Sequence, residues 1–128
     1  VAFGRMLHTV QDFYAHTNYI TLWLDQFDGT PPPPPEIDPL KKELTQSPSF
    51  HSGKIYFPLD ALYFIKPIRP LVLKFLPKDS HGWMNLDTPD QGPKFDYAIS
   101  AATQRTTHEF ELLRKLLPPE MFTRFTDR

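Results

Sequence analysis

Cysteine is absent from the chain, which excludes a disulfide framework and any thiolate metal site; a metal would have to be held by His, Asp, Glu, carbonyl oxygens or water. The redox compartment stays open. No apolar run approaches the roughly 18 residues of a membrane-spanning helix, and the N-terminus lacks the basic, apolar, small-residue order of a signal peptide. Charge of one sign is lacking too. Fourteen basic against fifteen acidic residues leave a net charge of −1, without the broad positive footprint of nucleic-acid binders. Neither a Gly-rich phosphate loop nor a Gly-x-Ser-x-Gly elbow occurs, which leaves phosphate cradles and esterase triads of those types without a carrier. The chain opens on Val rather than Met, so a processed product or a fragment with residues upstream is expected.

What is present most conspicuously is a ladder. In GRMLHTVQDFYAHTNYI, His8, Asp12 and His16 recur at steps of four. Four residues advance about 400° around an α-helix, so each side chain stands one turn above the last on the same face. Imidazoles and a carboxylate are the ligand types of a catalytic zinc site, which normally takes three protein side chains and leaves a position for water or substrate. The ladder can supply all three, two, or none. Phe3, Met6, Leu7, Val10, Tyr14 and Thr17 form the apolar stripe across from it. A polar face opposite such a stripe is often merely the solvated side of an amphipathic helix. Here it carries none of the usual Lys and Glu, and Tyr19 and Trp23 continue the same face, so the ladder is expected to look into the protein.

Fifteen prolines divide the rest. Residues 28–53, with five consecutive prolines, read as a polyproline II loop or arm, better suited to a stiff spacer than to a ligand for an aromatic groove. A short helical turn is expected within 39–44. Residues 54–78, KIYFPLDALYFIKPIRPLVLKFLPK, are apolar and locally basic, and Pro58, Pro67 and Pro70 exclude one long helix. The pattern suits peripheral contact with an anionic membrane, but the favoured reading places Leu62, Tyr63, Ile65, Leu71, Val72, Phe75 and Leu76 in the core with lysines snorkelling outward. DSHGWMNLDTPDQGP reads as a loop. Pro93 opens a helix running to about Leu117, with Phe95, Ile99, Ala102, Thr106, Phe110, Leu113 and Leu117 as its buried stripe. The small residues of AISAAT allow another helix close, which would bring the ladder near Asp96. PPEMFTRFTDR is expected as a last short helix with Met121, Phe122 and Phe125 inward. The fold class is all-α: a small single-domain bundle of residues 1–128, or part of a longer domain, with two long helices, short extra ones and long Pro-rich loops.

GRMLHTVQDFYAHTNYI resembles the signature of the fungal heterokaryon-incompatibility C family and its bacterial relatives, in which a histidine, a Gln-Asp-Phe-Tyr run and a His-Ser/Thr-Asn run occur in this order and spacing. HGWMNLDTPD and the following AISAATQRTTHEFELL are similar to the family's Gly-x-Asn-x-Asp segment and Ala-rich helix. The two blocks cover the first 20 and roughly the last 45 residues. The family is in turn distantly similar to zinc-dependent phospholipases C and single-strand-specific zinc nucleases. The resemblance implies a zinc-dependent phosphodiester hydrolase of phospholipase C type, holding one to three zinc ions through His8, Asp12 and His16. Asp87 would be a further ligand or the catalytic group that orients water. A family histidine stands where this chain has Phe95 or Asp96, so Asp96 replaces that ligand or the ligand is lost. Implied substrates are phospholipid head groups, with nucleic acid the lesser expectation; the alternative is a non-catalytic interaction or membrane-surface module with a degenerate site. His108-Glu109 lacks the second histidine of a zincin, and His51 and His81 read as structural loop histidines. Oligomeric state and location have no signal.

Overall fold

The computed structural model describes residues Ala2–Thr126. The helices run in the order α1 (Ala2–His16), α2 (Tyr19–Leu24), α3 (Lys42–Thr45), α4 (Leu59–Tyr63), α5 (Arg69–Leu73), α6 (His81–Met84), α7 (Lys94–Leu116) and α8 (Pro119–Thr126), with no strand among the described residues. The chain is therefore all-α, as its pattern predicts. The last two residues of the expected C-terminal segment lie outside the described residues.

The two long helices, α1 and α7, pair antiparallel. Gln11 Nε2 donates to Thr106 Oγ1 at 3.1 Å, and Phe3 near the start of α1 meets Phe110 near the end of α7 with ring centroids 6.4 Å apart. Tyr14, Tyr19, Ile20 and Trp23 of α1 and α2 are buried against Ala98 and Ala101 of α7, and Ile37 and Leu44 close the cluster from the arm. Alanines at the contact let the backbones approach and leave room for the large rings opposite. The periodic pattern of residues 3–24 does not announce that the helix breaks at Thr17–Asn18. The Asn18 amide, which would continue the helical ladder, donates instead to the His51 carbonyl at 3.1 Å. Asn18 Oδ1 also accepts from His51 N at 3.0 Å, and its Nδ2 donates to the Ser49 carbonyl at 2.8 Å.

The Pro-rich arm is strapped across the bundle through its carbonyls. Proline has no amide proton, and polyproline II geometry makes no internal hydrogen bonds, so these acceptors look outward for donors. Tyr14 donates to Pro39 O at 2.5 Å, Tyr19 to Asp38 O at 2.6 Å, and Tyr97 to Pro32 O at 2.8 Å. Burial pushes the Tyr14 and Tyr19 hydroxyls up to about 12. The short helical turn expected within 39–44 forms as α3, whose Leu44 is one of the arm's two anchors in the core.

Four expectations are corrected. The buried line of α7 passes through Ala98 and Ala101 rather than Ile99, which is exposed; the helix presents its smallest residues to its partners because they permit the closest approach. Residues 79–93 are not all loop, since Ser80 caps α6 by accepting from Trp83 N at 3.1 Å. Met121 on α8 points outward and Phe125 is also exposed, though its ring edge meets Phe3; of the three, Phe122 alone is partly buried, against Phe110. In residues 54–78 only Tyr63, Val72 and Leu76 form a buried cluster; Leu62, Ile65, Leu71 and Phe75 are exposed. Helices of five residues, α4 and α5, have one inward side between them, and among the described residues no further layer covers the outer one.

Candidate functional site

The first two rungs of the ladder border a groove of about 480 Å³ between α1 and α7, with His8, Asp12 and Asp87 on its rim and Ala98, Ala102 and Thr103 among its lining residues; His16 stands behind the rim, beside Asp87. The three rungs are graded in exposure. The side chain of His8 is 77% exposed and that of Asp12 45%, whereas that of His16 is 23%. The ladder therefore does not look wholly inward as expected; only its His16 end is enclosed, because the α1–α7 groove is open toward the start of α1.

Asp87 is carried to His16 by main-chain contacts. Leu86 N donates to the Ala15 carbonyl at 3.1 Å, which fastens this segment to the end of α1. Asn85, itself buried, accepts from Asp87 N through Oδ1 at 2.8 Å and so folds the turn that presents the carboxylate. The outcome is two histidine–carboxylate pairs: His8 Nε2 to Asp12 Oδ2 at 3.4 Å and His16 Nε2 to Asp87 Oδ1 at 3.5 Å. Both separations exceed the usual 2.7–3.2 Å or so of an N–H···O hydrogen bond. They are close to the roughly 3.3 Å between two ligand atoms on one tetrahedral zinc.

His81 is the residue that sequence reasoning passed over. Its ring stacks on that of His16, with centroids 4.4 Å apart and planes 28° from parallel. The placement depends on a splice of backbone: residues 52–54 run between the end of α1 and the start of α6. Gly53 N donates to the His16 carbonyl at 2.9 Å, Lys54 N to Asp79 O at 2.8 Å, and His81 N to Lys54 O at 2.7 Å. Gly53 is required there. A Cβ on it would stand 2.7 Å from His81 Cα, so any larger residue would push α6 away from His16. Ser80 before His81 is a legible helix cap, but nothing local in the sequence says that this cap faces His16.

Burial lowers the His16 pKa below its ordinary 6.5; Asp87 and Asp12 pull it back, while His81 and His8 reinforce the lowering. His16 Nδ1 is buried and has no hydrogen-bond partner, an arrangement that costs stability unless something else meets it. Asp96, in the first turn of α7, is exposed and does not line the groove. Among the described residues no three His, Asp or Glu side chains converge tightly enough to enclose a metal ion. The ladder and Asp87 thus come together as pairs, and Asp96 stays apart.

The other members of the sequence signature serve the scaffold. Gln11 ties α1 to α7, Phe13 and Tyr14 pack in or against the core, and Asn18 holds the 49–51 loop. Glu109 is engaged by Arg105 Nε at 2.6 Å and is not part of a zincin-like pair with His108. Comparison with known proteins finds no matching family model, no matching curated protein and no matching solved structure.

Proposed function

We propose that the groove between α1 and α7 is the site of a zinc-dependent phosphodiester hydrolase acting on phospholipid head groups. The observation that carries this reading is the spacing of the two histidine–carboxylate pairs, 3.4 and 3.5 Å, three of whose members, His8, Asp12 and Asp87, line a groove large enough for a head group. His8 with Asp12 and His16 with Asp87 would each offer two donors, leaving the remaining positions to water or substrate. Bound zinc would supply charge neutralisation at the phosphoryl group and a water acidic enough to act near neutral pH. Enclosure keeps His16 neutral, the form in which an imidazole nitrogen donates its lone pair. Asp87, half exposed and held by Asn85, orients a water molecule at the groove's edge. The apolar floor at Ala98 and Ala102 excludes solvent on the side away from the carboxylates.

A second reading, a non-catalytic membrane-surface or interaction module on the same scaffold, draws on the lack of three converging donors among the described residues. One experiment separates them. Metal analysis of protein purified without added zinc is expected to give stoichiometric zinc that His8→Ala and Asp12→Ala each abolish, together with chelator-sensitive hydrolysis of bis(p-nitrophenyl) phosphate. Metal-free protein whose melting temperature is unchanged by chelator leaves only the second reading.

A further inference from the structure

Large apolar side chains left open to solvent are concentrated on the outer side of residues 54–75. Phe57 is 85% exposed, Ile55 79%, Phe75 68%, Phe64 61% and Leu71 58%. These exposures follow from the packing of α4 and α5: Tyr63, Val72 and Leu76 turn toward each other, so their sequence neighbours Phe64, Leu71 and Phe75 must turn away. Isolated exposed apolar side chains are ordinary, but so many within twenty-odd residues mark a binding surface.

Charge identifies what binds. Lys66, Lys74 and Lys78 lie in the same stretch and take part in no salt bridge among the described residues. No exposed carboxylate of 54–78 opposes them; Asp90, from the loop before α7, faces Lys66 but is paired with Arg69 at 3.7 Å, which leaves Lys74 and Lys78 without an acidic neighbour among the ion pairs of the described residues. Asp60 is sealed inside, accepting from Tyr56 N at 2.6 Å and from Gly82 N at 2.7 Å. Asp79, just beyond, is occupied by Lys54 and the Tyr56 hydroxyl. The centres of protein–protein interfaces are depleted in lysine, whereas an anionic bilayer accepts aromatic and aliphatic tips among its acyl chains and ammonium groups among its head groups. Trp83 is half exposed and shares a shallow pocket with Lys74 and Lys78, an amphipathic ring placed where a head-group layer would meet it.

We infer that the outer face of α4 and α5, led by Phe57, Phe64, Leu71 and Phe75 with Lys66 and Lys74, docks on an anionic lipid bilayer. The face adjoins the site: the Phe64 ring lies 6.4 Å from that of His81, which stacks on His16. Docking therefore brings His16 and its partner Asp87, on the groove's rim, toward the level of the head groups, and it names the bilayer as the source of the phosphodiester. That last step rests on the hydrolase reading, while the docking itself does not.

The test is co-sedimentation of the chain with vesicles of phosphatidylcholine alone and with about one-fifth phosphatidylserine. Wild type is expected to partition onto the anionic vesicles, less so at high salt. Phe57→Ser/Phe75→Ser and Lys66→Glu/Lys74→Glu are each expected to weaken partitioning by about tenfold or more, with unchanged circular dichroism and melting. Wild-type protein that stays in the supernatant, or variants that partition as wild type does, would overturn the docking. So would a wild-type dimer on size-exclusion chromatography that the phenylalanine pair converts to monomer, because a second copy would then own the face. Zinc content and hydrolysis of the soluble ester are read on the same samples. Their survival alongside lost vesicle binding removes the docking only, and their absence alongside intact vesicle binding removes the hydrolase only.

Discussion

Residues 13–24 and residues 54–78 are both dense in apolar and aromatic side chains, and the fold treats them oppositely. In the first, Tyr19 is 0% and Trp23 4% exposed; in the second, Phe57 is 85% and Phe75 68% exposed. Composition does not separate the two. The neighbours do: α1 and α2 lie between α7 on one side and the Pro-rich arm on the other, whereas among the described residues α4 and α5 pack chiefly on each other, the short 66–68 turn between them and one edge of α6. An apolar run becomes core where a second layer can reach it, and prolines at 58, 67 and 70 cut the later run into pieces too short to supply one.

The sharpest way to break this comparison is truncation of one ring in each region. Trp23→Ala is expected to cost about 4 kcal/mol in urea unfolding, because it empties space among Tyr97, Phe27 and the α7 alanines. Phe57→Ala is expected to change stability by no more than about 0.5 kcal/mol. Equal losses would mean that the outer face of 54–75 is covered in solution.

Next in size is Asp60→Ala. The Asp60 carboxylate is the side-chain link between the 54–60 segment and α6, beside the main-chain bond from His81 N to Lys54 O, and its removal leaves two amides, Tyr56 N and Gly82 N, without acceptors. A loss of about 3 kcal/mol is expected from the urea midpoint, with Asp60→Asn losing less because one oxygen remains. A neutral result would show that the smaller cluster stands without this link.

A third measurement sharpens the comparison by pH. Tyr14 and Tyr19 sit in the main cluster with pKa values raised to about 12, against 10 when unfolded. A raised acid releases its proton more readily in the unfolded chain, so the stability these hydroxyls contribute is full below pH 10 and falls as pH rises toward 12. Urea midpoints measured from about pH 9 to about pH 12 are expected to drop for wild type and to flatten in Tyr14→Phe/Tyr19→Phe. The tyrosines of the arm contacts are then the source of alkaline sensitivity.

The sequence was most legible where structure is local. Pro93 and the Pro118-Pro119 pair bracket α7, and the four-residue spacing places His8, Asp12 and His16 on one helix face, as found. It was less legible where side-chain size competes with hydrophobicity. Ile99 outranks Ala98 and Ala101 on any hydrophobic scale, yet the alanines take the buried line because only they fit beneath Tyr19 and Trp23. It was silent where partners are distant. His81 reaches His16 only through the splice at Gly53, a contact among segments up to 65 positions apart that leaves no periodic trace in the chain. Asp87 lay between these cases, since the Asn85-x-Asp87 turn is a local signal but its docking on Ala15 is not.

The strapping of the arm has an evolutionary corollary. Every residue type carries a main-chain carbonyl, so the grip that Tyr14, Tyr19 and Tyr97 exert does not depend on which amino acids fill positions 32, 38 and 39. Specificity resides wholly in the phenols on the helices. Positions 32, 38 and 39 are accordingly free to drift among descendants of this chain, unlike the anchors Ile37 and Leu44, while exchange of a single buckle, Tyr to Phe, would loosen the belt.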